Sequence, residues 1–251
     1  MIVAKLKGGL GNQMFQYAAA TSLAIEHNTD HYFDFSYTAH PKRGGILINK
    51  LSNVKLPHLT EHQLPEIEDD FVYQTIPNNC YINGFWQSEK YFAKNADVIR
   101  EHLDFDNDVK SYVAEKYPVL NQHTVSMHVR RGDYVTKHTE FPPRDVDYYN
   151  TAYDIINDTS IAVIVVSDDI AWCKDNLKFG NCVYIENEND LVDLYIMSQC
   201  LHNIIANSTY SWWGAWLNSN PNKKVIAPKQ WFGPNKPLNE SDIIPDSWII
   251  I

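Results

Sequence analysis

From residue 124 onward the chain alternates short β-branched runs with helix-like segments, and no other feature constrains its fold as strongly. The runs are Thr124-Val125-Ser126-Met127-His128-Val129, Ile161-Ala162-Val163-Ile164-Val165-Val166, Cys182-Val183-Tyr184-Ile185, Asn203-Ile204-Ile205-Ala206 and Lys224-Val225-Ile226-Ala227. Helix-like segments lie between and after them, at about 145–157, 169–177, 189–199 and 210–219. Apolar strands separated by helices specify a parallel sheet covered on both faces. The expected class is therefore α/β, with a five-stranded doubly wound domain in the C-terminal half. Ligands of such sheets gather outside the carboxyl ends of the strands. Four polar groups fall there: His128-Val129-Arg130-Arg131-Gly132-Asp133-Tyr134, Ser167-Asp168-Asp169, Glu186, and Asn207-Ser208-Thr209-Tyr210.

If the backbone stays extended through the first of these groups, side chains at i and i+2 share a face. His128 then pairs with Arg130, an arrangement suited to a charged ligand. Arg131 turns to the opposite side and is spaced to pair with Asp133. A purely structural Arg–Asp pair at a strand end explains the pattern equally well, since buried arginines are usually paired.

The N-terminus reads as a strand, Ile2-Val3-Ala4-Lys5-Leu6, running into Gly8-Gly9-Leu10-Gly11-Asn12-Gln13, then an alanine-rich helix from Met14 to about His27. A glycine turn ahead of a helix lets backbone amides approach an anion. It is not a dinucleotide fingerprint, because Met14 stands where the third glycine belongs. Residues 28–80 are irregular, interrupted by prolines and glycines, with an acidic patch at Glu66, Glu68, Asp69 and Asp70. A short strand through Cys80-Tyr81-Ile82 leads to Asn83-Gly84-Phe85-Trp86-Gln87-Ser88-Glu89, where Ser88 is placed to cap a helix through Leu103. Trp86 with Gln87 and Glu89 at that corner suits a stacked sugar; a packed core tryptophan is the alternative.

Composition narrows the function. A formal charge of −10 argues against a nucleic-acid partner, though not against a single nucleotide. Cys80, Cys173, Cys182 and Cys200 show neither disulfide-framework nor zinc spacing, and free core thiols are expected. No stretch reaches the length of a membrane span and the N-terminus lacks a signal-peptide layout. The expectation is a cytoplasmic protein without an integral membrane segment, peripheral association at the inner membrane being left open. The Asn-x-Ser/Thr triplets at Asn157, Asn207 and Asn239 then read as chance. The acid pairs Asp104-Phe105-Asp106, Asp106-Asn107-Asp108 and Asp145-Val146-Asp147 follow no apolar strand, so no metal or other cofactor is expected.

Four long motifs, Gly8 to Ala18, Gly84 to Phe92, His128 to Tyr134 and Ser208 to Leu217, resemble in order those of the bacterial alpha-1,2-fucosyltransferases of glycosyltransferase family 11. Residues 28–78 and the tail lie outside the resemblance. It implies a GT-B-like architecture with two Rossmann-like halves, an acceptor-side domain at 1–115 and a GDP-fucose-binding domain at 116–251. It also implies inverting transfer from GDP-β-L-fucose to the 2-hydroxyl of a galactoside. By the same resemblance His128 lies at guanine and Arg130 at the diphosphate, with Gly9, Leu10, Gly11, Asn12, Ser208, Thr209 and Tyr210 around the donor. Trp86, Gln87 and Glu89 are the candidate acceptor residues.

The resemblance also points to Asp168 as the guanine reader, and its place at the end of the most apolar strand supports that. A carboxylate accepts guanine's ring N–H and amine together; Asp169 is its competitor. Asp133, Glu89 and His138 are candidate general bases, and Asp133 is preferred because it lies just past the donor cluster. The other readings are a carbohydrate-binding protein without turnover and a transferase of another GDP-sugar.

Overall fold

A computed structural model describes residues 1–40, 42–121 and 123–251, the side chain of Asn121 excepted. The chain forms two compact units: Met1–Asp106 with Leu238–Pro245, and Asn107–Pro237 with Asp246–Ile251. The division falls before residue 115 because the helix Asn107–Lys116 belongs to the second unit. There Tyr112 and Lys116 both bond the Glu188 carboxylate, at 3.0 and 2.5 Å.

The first unit contains β1 (Ile2–Lys5), α1 (Leu10–Glu26), β2 (His31–Asp34), β3 (Glu66–Glu68), β4 (Cys80–Asn83) and α2 (Ala96–His102). Its four strands are parallel, in the order β2-β1-β4-β3. Helix α1 begins at Leu10 rather than Met14, with Gly9 in extended geometry as its N-cap. Glycine and asparagine in its first turn are weak helix formers and disguise that start. Two buried glutamines fix the turn before it. Gln13 donates to Gly8 O and Gly45 O and accepts from Leu47 N and Ile48 N. Gln16 bonds both backbone groups of Lys7 and also Gly84 O. Buried backbone polar groups must be paired, and here side chains do the pairing. Ser88 caps only a 3-10 turn, Glu89–Tyr91, and a second, Ala93–Asn95, precedes α2. The single helix expected through Leu103 is therefore broken.

The second unit contains α3 (Asn107–Lys116), β5 (Thr124–Val129), α4 (Gly132–Thr136), α5 (Val146–Ile156), β6 (Ala162–Ser167), α6 (Ile170–Asn176), β7 (Cys182–Tyr184), α7 (Asp190–Gln199), β8 (His202–Ile204), α8 (Thr209–Leu217), β9 (Val225–Ala227) and β10 (Ile249–Ile250). Its parallel sheet has six strands, not five, in the order β10-β9-β8-β5-β6-β7. The sixth is the C-terminal pair Ile249 and Ile250, in register with Ile226 and Ala227.

Asp145, Asp169 and Asn189 cap α5, α6 and α7, each accepting a backbone N–H of the first turn. Every residue of β5 is buried. Val125, Met127 and Val129 join Val163, Val165 and Ile204 in one core under Tyr149, Ile156 and Leu177. A buried polar strap supports β5 and β8: Asn203 donates to Ser126 Oγ and Met197 O, and Asn218 donates to Asn203 Oδ1, all at 2.7–2.8 Å. From β5 the chain builds outward through β6 and β7, then returns to β8 on the other side of β5. The strand order reverses between β5 and β8, and the crevice at their carboxyl ends is where such sheets bind ligands.

Candidate functional site

Pairing with β6 aligns His128 with Val166 and Val129 with Ser167, so Arg130 and Asp168 leave the sheet side by side. The strand stops at Val129 and the chain turns into α4. The expected pairing of Arg131 with Asp133 fails for that reason, and the arginine partners differ from those the sequence suggests. Arg130 Nη2 meets Asp133 Oδ1 at 2.7 Å in an i, i+3 relation, and its Nη1 meets Asp168 Oδ2 at 2.6 Å. Arg131 pairs not with Asp133 but with Asp169, Nε to Oδ2 at 3.0 Å, and its guanidinium lies 4.1 Å from the centre of the Trp172 ring. The close approach of the two loops depends on Gly132, where a Cβ would stand 2.5 Å from Asp168 Oδ2.

Asp133 also accepts from Lys137 Nζ at 3.1 Å. Burial pushes its carboxyl up, but Lys137 and Arg130 outweigh that and hold it below the usual range. A carboxylate stabilised by two cations is a weak proton acceptor, so the geometry makes Asp133 a brace for Arg130 rather than a poised base. Asp168 is equally committed, since its Oδ1 accepts Arg131 N at 2.8 Å while Oδ2 holds Arg130. Asp169 caps α6.

Arg131 gives a clean contrast. Arg131→Ala removes the Asp169 bridge and the Trp172 contact, an expected loss of about 2 kcal/mol. Thermal unfolding should show a midpoint several degrees lower, with turnover at full substrate changed far less than in Arg130 variants.

Deeper in the crevice, His128 is buried, and its Nδ1 has no hydrogen-bond partner among the described residues. Burial, then Arg130, lowers its pKa to about 3, so the imidazole stays neutral. Its ring lies 5.6 Å from that of Tyr210. The Tyr210 hydroxyl donates to Asp190 O at 2.5 Å, so Tyr210 offers this site its ring, not its hydroxyl. Asp193 stands on α7 close enough to Tyr210 to raise its pKa further. Asp193 Oδ1 is likewise buried without a partner among the described residues. Burial first, then the Glu188 and Asp190 charges, pushes the Asp193 carboxyl up to about 7.

Asn207 adds a third such atom: its Nδ2 donates to Trp231 O, while Oδ1 is buried and unpartnered. Ser208 caps α8 without a side-chain bond, Thr209 opens that helix, and the Tyr134 hydroxyl reaches Asn207 O at 3.1 Å. Buried polar atoms rarely go unpaired; those of His128 and Asn207 lie at the ends of β5 and β8, and that of Asp193 lies on α7, near Tyr210. Glu186 is bonded to Lys174 instead. Sequence reasoning missed Asp193 because an acid inside a helix ordinarily belongs to its solvated face. The available signal was its setting in Leu191-Val192-Asp193-Leu194, a helix stretch apolar on either side of the acid.

In the first unit Gly8 adopts φ 80°, and a Cβ there would stand 2.5 Å from Asn12 Nδ2. Gly9 is the N-cap of α1, Leu10 and Gly11 are buried in its first turn, and Asn12 Oδ1 accepts from Gln87 Nε2 at 2.8 Å. Trp86 corrects the sugar-stacking expectation. Its side chain is fully buried, edge-on to Tyr91 at 5.4 Å, and offers no face to a ligand. Glu89 opens the 3-10 turn behind it.

The model of glycosyl transferase family 11 matches residues 1–251. The O-antigen biosynthesis glycosyltransferase WbnK of Escherichia coli is 32% identical, over 97% of this chain and 98% of that protein. An alpha-1,2-colitosyltransferase of Escherichia coli is 31% identical, over 100% and 99%. A Mus musculus galactoside alpha-(1,2)-fucosyltransferase 2 is 32% identical over 84% of this chain and 66% of its own length. Among solved structures, the NodZ alpha-1,6-fucosyltransferase crystallised with GDP superimposes with a TM-score of 0.55 at 11% identity, over 85% of this chain and 91% of that one. The fold is thus α/β and GT-B-like.

Proposed function

This chain belongs to glycosyl transferase family 11, and from that premise we propose that it transfers L-fucose, with inversion, from GDP-β-L-fucose to the 2-hydroxyl of a galactoside. The observation that carries the donor half of this reading is Arg130, gripped by Asp133 and Asp168 at the reversal of strand order. As the acceptor oxygen attacks the anomeric carbon and its hydroxyl proton is released to solvent, the bond to the β-phosphate oxygen breaks and charge gathers on the departing diphosphate. A fixed guanidinium meets two of its oxygens at once and never loses its proton. The helix N-terminus at Ser208 and Thr209 adds favourable partial charge.

Guanine reading moves in this proposal from Asp168, whose oxygens are occupied, to Asp193. Its buried, unpartnered carboxylate oxygen suits a ligand N–H donor such as guanine's, and the neutral His128 ring supports the base from β5. Among the described residues no helix is long and apolar enough to cross a membrane. A cytoplasmic place, with any membrane contact peripheral, goes with this reading.

GDP-colitose is the second donor reading, favoured by the 31% identity to a colitosyltransferase over the whole chain. Colitose is fucose without its 3-hydroxyl, so the two differ by the hydrogen bonds that hydroxyl makes. The test offers GDP-fucose, GDP-colitose and GDP-mannose with lactose and follows GDP release and product mass. Fucosyl-lactose from GDP-fucose is the expected product; preferential use of GDP-colitose moves the donor, and GDP binding without any transfer overturns the enzymatic reading. With Arg130 receiving the diphosphate, activity should persist in excess EDTA. Loss restored by manganese or magnesium would place a cation there instead.

A further inference from the structure

At the carboxyl ends of β3 and β4 in the first unit, Lys7, Glu68, Asp69, Phe71, Asn83 and Phe85 line a cavity of about 220 Å³. One wall is aromatic, the Phe71 and Phe85 rings meeting at 6.1 Å and 45°. The rest is polar. Lys7 Nζ donates to Asn83 Oδ1 at 3.1 Å and lies 4.9 Å from the centre of the Phe85 ring. An ammonium has three donors, so two remain for a ligand. Among the described residues the Glu68 carboxylate accepts no hydrogen bond.

The backbone here is forced into shape. Phe71 and Trp86 adopt φ of 58° and 55°, the left-handed region that bulky residues avoid. One side chain holds both: Asp69 Oδ1 accepts Phe71 N at 2.9 Å, and Oδ2 accepts Phe85 N and Trp86 N at 3.0 and 2.8 Å. Strained conformations kept in place by such over-determination gather at ligand clamps.

We propose that this cavity is a subsite for one neutral pyranose unit of the acceptor glycan. An apolar wall beside a cation and carboxylates matches a sugar ring, which has a C–H face and a rim of hydroxyls. With Asp69 committed to the backbone, the carboxylate left to a ligand is Glu68, whose free oxygens readily accept from hydroxyls and repel a phosphate brought up to the same wall. The assignment rests on the transferase reading and moves the acceptor contacts from the buried Trp86 to Phe85, Glu68 and Lys7.

The test is saturation-transfer NMR of the full-length protein with methyl β-D-galactopyranoside and with lactose, comparing wild type, Glu68→Gln and Phe85→Ala. GDP binding on the same samples reports that the second unit is folded. Glu68 is exposed on β3, so its amide variant tests the site even where Phe85→Ala unfolds. The expected result is saturation of galactose ring protons in wild type, strongly reduced in Glu68→Gln, with the lactose KM raised roughly tenfold. Equal saturation and equal KM in wild type and Glu68→Gln overturn the proposal. If no GDP-sugar is turned over, the transferase reading fails by itself, and the NMR titration still decides whether this cavity binds a sugar.

Discussion

Arg130→Lys should fold and yet turn over roughly 10²–10³-fold more slowly than wild type, the loss expected when one fixed donor to a developing anion is removed. The size of the effect follows from geometry rather than charge, since lysine keeps the charge. The two terminal nitrogens of Arg130 are spread between Asp133 and Asp168, at 2.7 and 2.6 Å. That grip aims the plane of the guanidinium before any ligand arrives, so the enzyme spends no reorganisation at the moment the bond breaks. A lysine ammonium would be drawn to one carboxylate and present a point charge to the other oxygens. Stability should change little, because Arg130 stays 36% exposed and exposed ion pairs contribute about 0–1 kcal/mol. The readouts are turnover at saturating donor and the thermal midpoint, with Arg131→Ala giving the opposite pattern. Arg130→Ala retaining more than about a tenth of wild-type turnover, a loss of only about 1.4 kcal/mol, would remove Arg130 from the chemistry.

Much of the second unit was legible because strands buried on both faces leave continuous apolar runs, and four helix-like segments separated them. The two-residue edge strand Ile249–Ile250 left no such run. In the first unit the edge strand Glu66–Glu68 is charged at both ends and passed for an acidic patch, which is how exposed edges are commonly protected. The arginine partners were misjudged on one local assumption, that the chain stays extended past Val129. One turn of α4 exchanges i+2 for i+3 and hands Asp133 from Arg131 to Arg130. Asp69 was invisible for a different reason. Its three backbone partners lie at Phe71, Phe85 and Trp86, and two of them become neighbours only once the chain folds. Asp168 and Asp193 show the same limit at the site, because sequence indicates where a carboxylate is but not which of its oxygens are already occupied.

Asp193→Asn should abolish most of the preference for GDP over ADP and at the same time raise the melting temperature at about pH 8. A carboxylate accepts guanine's ring N–H and exocyclic amine together, whereas an amide keeps one acceptor and sets an N–H against the second donor. The loss in the GDP-to-ADP affinity ratio should be roughly ten- to hundredfold, the worth of a charge-assisted hydrogen bond. The stability effect has the opposite sign to that of an ordinary structural residue. Burial, then Glu188 and Asp190, raises the Asp193 carboxyl from 3.8 to about 7. Between those values the unfolded chain is ionised there and the native protein is protonated, so native protein binds the extra proton and stability falls as pH rises. Above about 7 the native state carries the full cost of a buried charge, which asparagine does not have. Nucleotide binding runs the other way, since only the ionised form accepts both guanine donors. The wild-type GDP-to-ADP ratio should therefore decline below about pH 7 and level off above it. ADP carries the same diphosphate and cancels its titration, and His128, held near 3, stays neutral throughout. Calorimetric titrations of both nucleotides at about pH 6 and about pH 8, with thermal melts of the same samples, check every part. An unchanged GDP-to-ADP ratio in Asp193→Asn, or a melting temperature of that variant below the wild-type value at about pH 8, would make Asp193 a structural residue and leave guanine to be read elsewhere.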